Sequence, residues 1–126
     1  MFIYDNPHPK GKKVGDCVKR AICLVAEVDY MVVQRQLNRY KKETGAAVYN
    51  EKRNWQPFIE KFMGGKKISF PAQKGFSRMD GYRFCEEYPK GRYILNMAGH
   101  LTCCIDGAIH DTWDCRHKCV YNAWEV

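Results

Sequence analysis

Residues 88–115 read YPKGRYILNMAGHLTCCIDGAIHDTWDC, and this stretch decides the fold. Asp106-Gly107 stands between two apolar runs, the strongest short-range signal for a two-residue hairpin turn. One arm of the hairpin is then His100 to Ile105 and the other Ala108 to Trp113. Upstream, Pro89-Lys90-Gly91 makes a turn, and Tyr93-Ile94-Leu95-Asn96-Met97 has the composition of a buried strand. Downstream, residues Lys118 to Trp124 supply a last strand. The expectation for this half is a small antiparallel sheet.

Towards the N-terminus the periodicity changes to that of helices. Residues 16–28 form a helix in which Asp16 is the N-cap and Cys17, Val18, Ala21, Ile22, Leu24, Val25 and Val28 leave few polar sides. A helix apolar nearly all round belongs in the centre of a domain. Asp29 caps a second helix over 30–43, with Gly45 as its stop. Asn54 caps a third over 55–63, with Pro57 in its first turn and Gly64-Gly65 ending it. Residues 66–76 read as a loop or short strand, and Ser77 with Asp80 resembles a capping box opening a fourth helix over 78–87, weakened by Gly81. Helices followed by an antiparallel sheet predict an α+β domain. With 126 residues and no repeat or linker, positions 1–126 form one domain.

Apolar residues make up 45% of the chain and aromatics 13%, which excludes a disordered tail. No run approaches the ~18 apolar residues of a membrane span. Met1 to Lys13 lacks the basic-then-apolar order of a secretory signal, so the expected location is the cytosol. Seven cysteines cannot all pair within one chain, and reduced thiols are expected. The formal charge of +7 suits an acidic partner, but Lys10, Lys12, Lys13, Lys41, Lys42, Lys66 and Lys67 are scattered as on a solvated surface.

A thiol nucleophile needs a lowered pKa, a base and donors for the oxyanion. Cys17 would be the first helical residue after Asp16, where free N–H groups and the helix dipole favour a thiolate. Its own N–H would serve the oxyanion. His100 follows Ala98-Gly99 and opens a strand, a firm mount for a base. If Asp106-Gly107 is a two-residue turn, Ile105 pairs with Ala108 and His100 falls opposite Trp113. Alternation then puts Asp111 on the His100 face, one step diagonal, and His110 on the other. Asp111 is the first candidate to orient the imidazole. A bulge at the strand end would give that place to Asp114.

The order of Cys at a central helix start, His opening a strand and an acid on the next strand resembles the papain-like cysteine peptidase superfamily. The segments GDCVKRAI (15–22) and YPKGRYILNMAGHLTCCIDGAIHDTWDC (88–115), with the closing Trp124, resemble small papain-like proteins of bacteria and their phages. In layout they are similar to bacteriocin-processing peptidase domains and cell-wall cysteine/histidine peptidases. These segments cover under a third of the chain; residues 30–87 carry no diagnostic motif. The resemblance implies a papain-like fold, a central N-terminal helix on the sheet, and a Cys17–His100 pair completed by Asp111 or Asp114. It implies hydrolysis of a peptide, isopeptide or other amide bond through a thioester, with a protein or peptide substrate and no cofactor. One departure stands out: the family carries a Gln or similar oxyanion donor shortly before the Cys, whereas residues 10–16 here are KGKKVGD. Asn6 would be the donor if the N-terminal segment folds back. A non-catalytic descendant that binds a partner is the alternative.

Two other functions compete. Cys103, Cys104, His110, Cys115, His117 and Cys119 crowd one end, and Cys115-x3-Cys119 is an admissible zinc-ligand spacing, although adjacent Cys103 and Cys104 would face opposite ways. Tyr40, Tyr49, Trp55 and Phe58 among basic residues are the mix that single-strand nucleic-acid binders use, though such rings commonly serve the core. Trp113 and Trp124 are assigned to packing behind the site.

Overall fold

The computed structural model describes all 126 residues, Met1–Val126. The chain is α+β. Six strands, β1 (Phe2–Tyr4), β2 (Lys66–Ser69), β3 (Arg92–Met97), β4 (His100–Ile105), β5 (Ala108–Asp111) and β6 (Val120–Glu125), form one sheet in the order β1-β5-β4-β3-β6-β2. The helices are α1 (Cys17–Ala26), α2 (Tyr30–Thr44), α3 (Lys52–Pro57), which continues as a π-helical turn over Phe58–Phe62, and α4 (Gly81–Glu87). No helix is long and apolar enough to cross a membrane.

The hairpin follows the register counted from its turn. Ile105 pairs with Ala108, Cys104 with Ile109 and Cys103 with His110. Asp106 and Gly107 both have positive φ, 48° and 77°, as a turn matched to the strand twist requires. The sheet is mixed rather than antiparallel, because β1 pairs in parallel with β5. Three residues are too few to carry a period, so β1 leaves no mark in the sequence pattern. Strand β5 ends at Asp111 and β6 starts at Val120, both shorter than expected; the backbone bond from Lys118 N–H to Cys115 O closes a turn in place of the first strand residues.

Side-chain alternation divides the core into two layers. Ile94, Leu101, Cys103 and Trp124 face α1, α2 and α3, where Ile22, Val25, Val33, Leu37, Trp55 and Phe58 complete a buried cluster. Tyr93, Leu95, Met97, Cys104 and Ile109 face the other way, against Phe84 of α4 and Cys115. Helix α1 thus lies between the sheet and α2, the central place its composition predicts.

Helix ends show where local signals are overruled. Asp29 caps α2 as expected, its carboxylate accepting from Met31 N–H at 2.9 Å, and Gly45 ends it at φ +74°. Asp16 occupies the cap position of α1 but makes no capping hydrogen bond. Helix α1 ends at Ala26, two residues early, where Glu27 turns left-handed and its carboxylate meets Arg92 at 2.7 Å. Helix α3 starts at Lys52, so Asn54 lies inside it. Fully buried, Asn54 donates to Leu37 O and Tyr49 O and accepts from the Thr44 hydroxyl. Helix α4 is capped by Asp80, which accepts from Arg83 N–H; Ser77 is not its cap.

Gly81 opens α4 against the chain leading out of the site. A Cβ there would stand 2.7 Å from Arg116 Cα and 2.9 Å from Arg116 O, backbone atoms that cannot swing aside. Gly81→Ala is expected to cost about 1–3 kcal/mol through this overlap, outweighing the gain in helix propensity, and to lower the melting temperature by several degrees. A thermal melt unchanged from wild type would show that residues 115–117 yield freely.

Candidate active site

Cys17 is the first residue of α1, and the position works because its neighbour does not cap. The Asp16 carboxylate turns inward to the Arg20 guanidinium and the Tyr30 hydroxyl, which donates to Oδ2 at 2.6 Å. The N–H groups of the first turn keep no side-chain partner and stay available to an anion. Burial pushes the Cys17 thiol up, but His100, the Leu101 backbone N–H and the Arg20 charge outweigh it and the net effect lowers the pKa.

His100 opens β4. Its side chain is only 8% exposed, and Nε2 donates to Asp111 Oδ2 at 2.7 Å. Burial works against the imidazolium, but Asp111, Cys115 and Cys17 overcome it and raise the pKa to about 11. The ring is thus held charged between a carboxylate and two thiols. Asp111, also buried, is held below the usual carboxylate range by His100 and Thr112 N–H against the cost of burial. Thr112 N–H donates to Asp111 Oδ1 at 2.6 Å, leaving Oδ2 to the imidazole.

Of the two acids offered by the sequence, Asp111 is the one beside His100. Asp114 is engaged elsewhere: both its oxygens bind the Arg116 guanidinium, at 2.9 and 2.8 Å. That pairing draws its pKa down to about 2. His110 faces the opposite side, where Nδ1 donates to Asp5 Oδ2 at 3.0 Å. Asn6 is not brought to Cys17. Its amide donates to Lys12 O and its Oδ1 accepts from His8 N–H, so it closes the N-terminal loop on itself.

A cleft of about 370 Å³ runs past Cys17 and His100. Its walls include Asn50, Lys52, Trp55, Asn96 and Gly99, and no carboxylate lines it. Trp55 thus serves the cleft wall as well as the core. Trp113 is not behind the sheet: it lies past the end of β5, 41% exposed, with its ring 4.8 Å from the His100 ring. Trp124 is fully buried.

All seven cysteines are free thiols. Burial raises Cys23 to about 12 and pushes Cys103 up as well, so neither is a nucleophile at neutral pH. Cys85 and Cys104 face each other at 3.8 Å inside the core. Of the cysteine-rich C-terminal set, Cys115 approaches His100 and Asp111: the ligand atoms of these three lie within 4.8 Å of one another, and Cys115 Sγ donates to Asp111 Oδ2 at 3.7 Å. Cys119 is exposed.

Sequence reasoning passed over Arg20, although a signal existed: an arginine in an otherwise apolar central helix must bring its counter-ions with it. It named Cys115 only as a zinc-ligand candidate and Trp113 only as packing, because their place beside His100 depends on the turn after β5. No protein-family model, curated protein or solved structure matches this chain.

Proposed function

We propose that this protein is a papain-like thiol hydrolase that cleaves an amide, isopeptide or ester bond of a protein or peptide substrate. The observation that carries the reading is that Cys17 and His100 line one open cleft, with the His100 ring bonded behind it to Asp111. The Cys17 thiolate attacks the carbonyl carbon, with the N–H groups at the start of α1 facing the developing oxyanion. Collapse of the tetrahedral adduct breaks the bond to the leaving group, which takes its proton from the His100 imidazolium and leaves a Cys17 thioester. The neutral imidazole then removes a proton from water, which attacks the thioester and regenerates thiolate and imidazolium. Asp111 stays ionised throughout and holds the ring.

p-Nitrophenyl acetate tests this without knowledge of the natural substrate. A burst of p-nitrophenolate with an acetyl group on Cys17 by mass spectrometry is expected for the wild type, and none for Cys17→Ala. Asp111→Asn is expected to slow acylation by at least about tenfold, whereas Asp114→Asn leaves it unchanged within about twofold. A full burst in Cys17→Ala would end the proposal.

The proximity of His100, Asp111 and Cys115 supports one further reading, a metal site with an open position. The Arg20 guanidinium on the same carboxylate weighs against it. Stoichiometric zinc in the purified protein, lost in Cys115→Ala, would favour that reading. A folded wild type with neither burst nor zinc would point to an inactive papain-like protein that binds a partner, with its +7 charge directing the search to acidic ones.

A further inference from the structure

Arg20 lies one turn along α1 from Cys17, and its side chain is buried. Nη1 donates to Asp16 Oδ1 and to Val14 O, the latter at 3.3 Å; Nη2 donates to Asp111 Oδ1, also at 3.3 Å. Asp16 is held in turn by the Tyr30 hydroxyl at 2.6 Å. One guanidinium therefore joins the residue before Cys17 to the carboxylate on the far side of His100. The bridge runs from α2 through α1 to β5, and no loop or backbone ladder joins β5 to either helix. Asp111 divides its oxygens accordingly: Oδ1 takes Arg20 and Thr112 N–H, and Oδ2 takes His100 and Cys115.

A buried ion network contributes little to folding that apolar side chains of the same volume would not supply. What this one supplies is placement. The planar fork aims donors on separate nitrogens at the two carboxylates in a fixed geometry; a lysine offers three rotatable donors on a single nitrogen and fixes neither direction.

We propose that Arg20 is a positioning residue of the site, which fixes Asp111 Oδ2 on the His100 ring and ties the helix bearing Cys17 to the strand bearing Asp111. The inference rests on the thiol-hydrolase reading of Cys17, His100 and Asp111. Through Asp111, Arg20 acts on the imidazole; through α1, it sets where the thiol meets that imidazole.

The test is the pH dependence of Cys17 alkylation by iodoacetamide, read by mass spectrometry, with exposed Cys119 as the internal standard. Wild type, Arg20→Lys and Arg20→Gln are compared after circular dichroism has established folding. The expected result is a loss of about tenfold or more at about pH 6, with rates at about pH 9.5 within about twofold of wild type, because most thiols are ionised there regardless of neighbours. Arg20→Lys, which keeps the charge and loses the fork, is expected to restore little. Profiles identical to wild type in both folded variants would overturn the proposal. So would an equal loss at both pH values, or failure of both variants to fold, each of which assigns Arg20 to structure alone. His100→Ala separates this from the underlying reading: if it leaves the wild-type low-pH rate intact, the Cys17–His100 pairing itself fails. If it removes that rate while the Arg20 variants do not, only the role of Arg20 fails.

Discussion

His100→Ala is expected to lower the alkylation rate of Cys17 at about pH 6 by at least about tenfold. With its partner gone, Cys17 reverts to an ordinary thiol, and a thiol of pKa about 8.5 is only ~0.3% ionised at that pH. Above about pH 9 the variant and wild type should converge. Stability should follow the imidazole. The pKa of His100 rises from 6.5 to about 11 on folding, so its contribution is complete below 6.5 and is lost as the pH climbs through about 11. The melting-temperature gap between wild type and His100→Ala should therefore be widest in acid and shrink towards pH 11. The thiol works the other way: lowered from 9.0, it contributes above that value and loses the contribution as the pH falls through its folded pKa. Equal low-pH alkylation rates in wild type and His100→Ala would remove the imidazole from the chemistry.

Trp124→Ala is expected to cost about 3–5 kcal/mol, a large part of the 5–15 kcal/mol that holds a domain together. Trp124 is fully buried on β6, and its ring meets Trp55 edge-on at 5.6 Å. Its indole N–H donates to Glu60 Oε2 at 2.8 Å. Truncation empties the space between β6 and α3 and removes the only hydrogen bond of that indole. The consequence reaches the cleft, because Trp55 forms part of the wall beside Cys17. A loss of about 10 °C or more in melting temperature is expected. Trp124→Phe, which keeps a ring and gives up the donor, should fall between. A shift of a degree or two for the alanine variant would mean that α3 and the π-helical turn collapse into the gap.

The hairpin was legible because its information is local. Asp106-Gly107 fixes the turn, the turn fixes the register, and the register places Asp111 on the His100 side and His110 on the other. Asp29 and Gly45 bound α2 by the same short-range chemistry. The misreadings share a cause. Asn54 has the chemistry of a cap, yet it is used inside α3 to satisfy carbonyls of Leu37 and Tyr49 that arrive from other segments. Asp16 likewise gives up capping for Arg20 and Tyr30. A polar side chain's choice between near and far partners depends on tertiary distances that no window of sequence contains. Trp113 and Cys115 lie past the end of β5, where alternation stops carrying information, and β1 finds its partner across nearly the whole chain.

That last pairing has a consequence for how the protein comes into being. Strand β1 is made well before its partner: Phe2 sits opposite Ile109 and Asp5 N–H bonds to Asp111 O, so β1 has nowhere to dock until β5 has been made. Translation proceeds at only about 5–20 residues per second, so the nascent chain spends several seconds with its first strand unmatched. Throughout that interval Cys17 has no imidazole beside it. The reactivity proposed for Cys17 therefore has to wait for β4, which carries His100, and for β5, which carries Asp111.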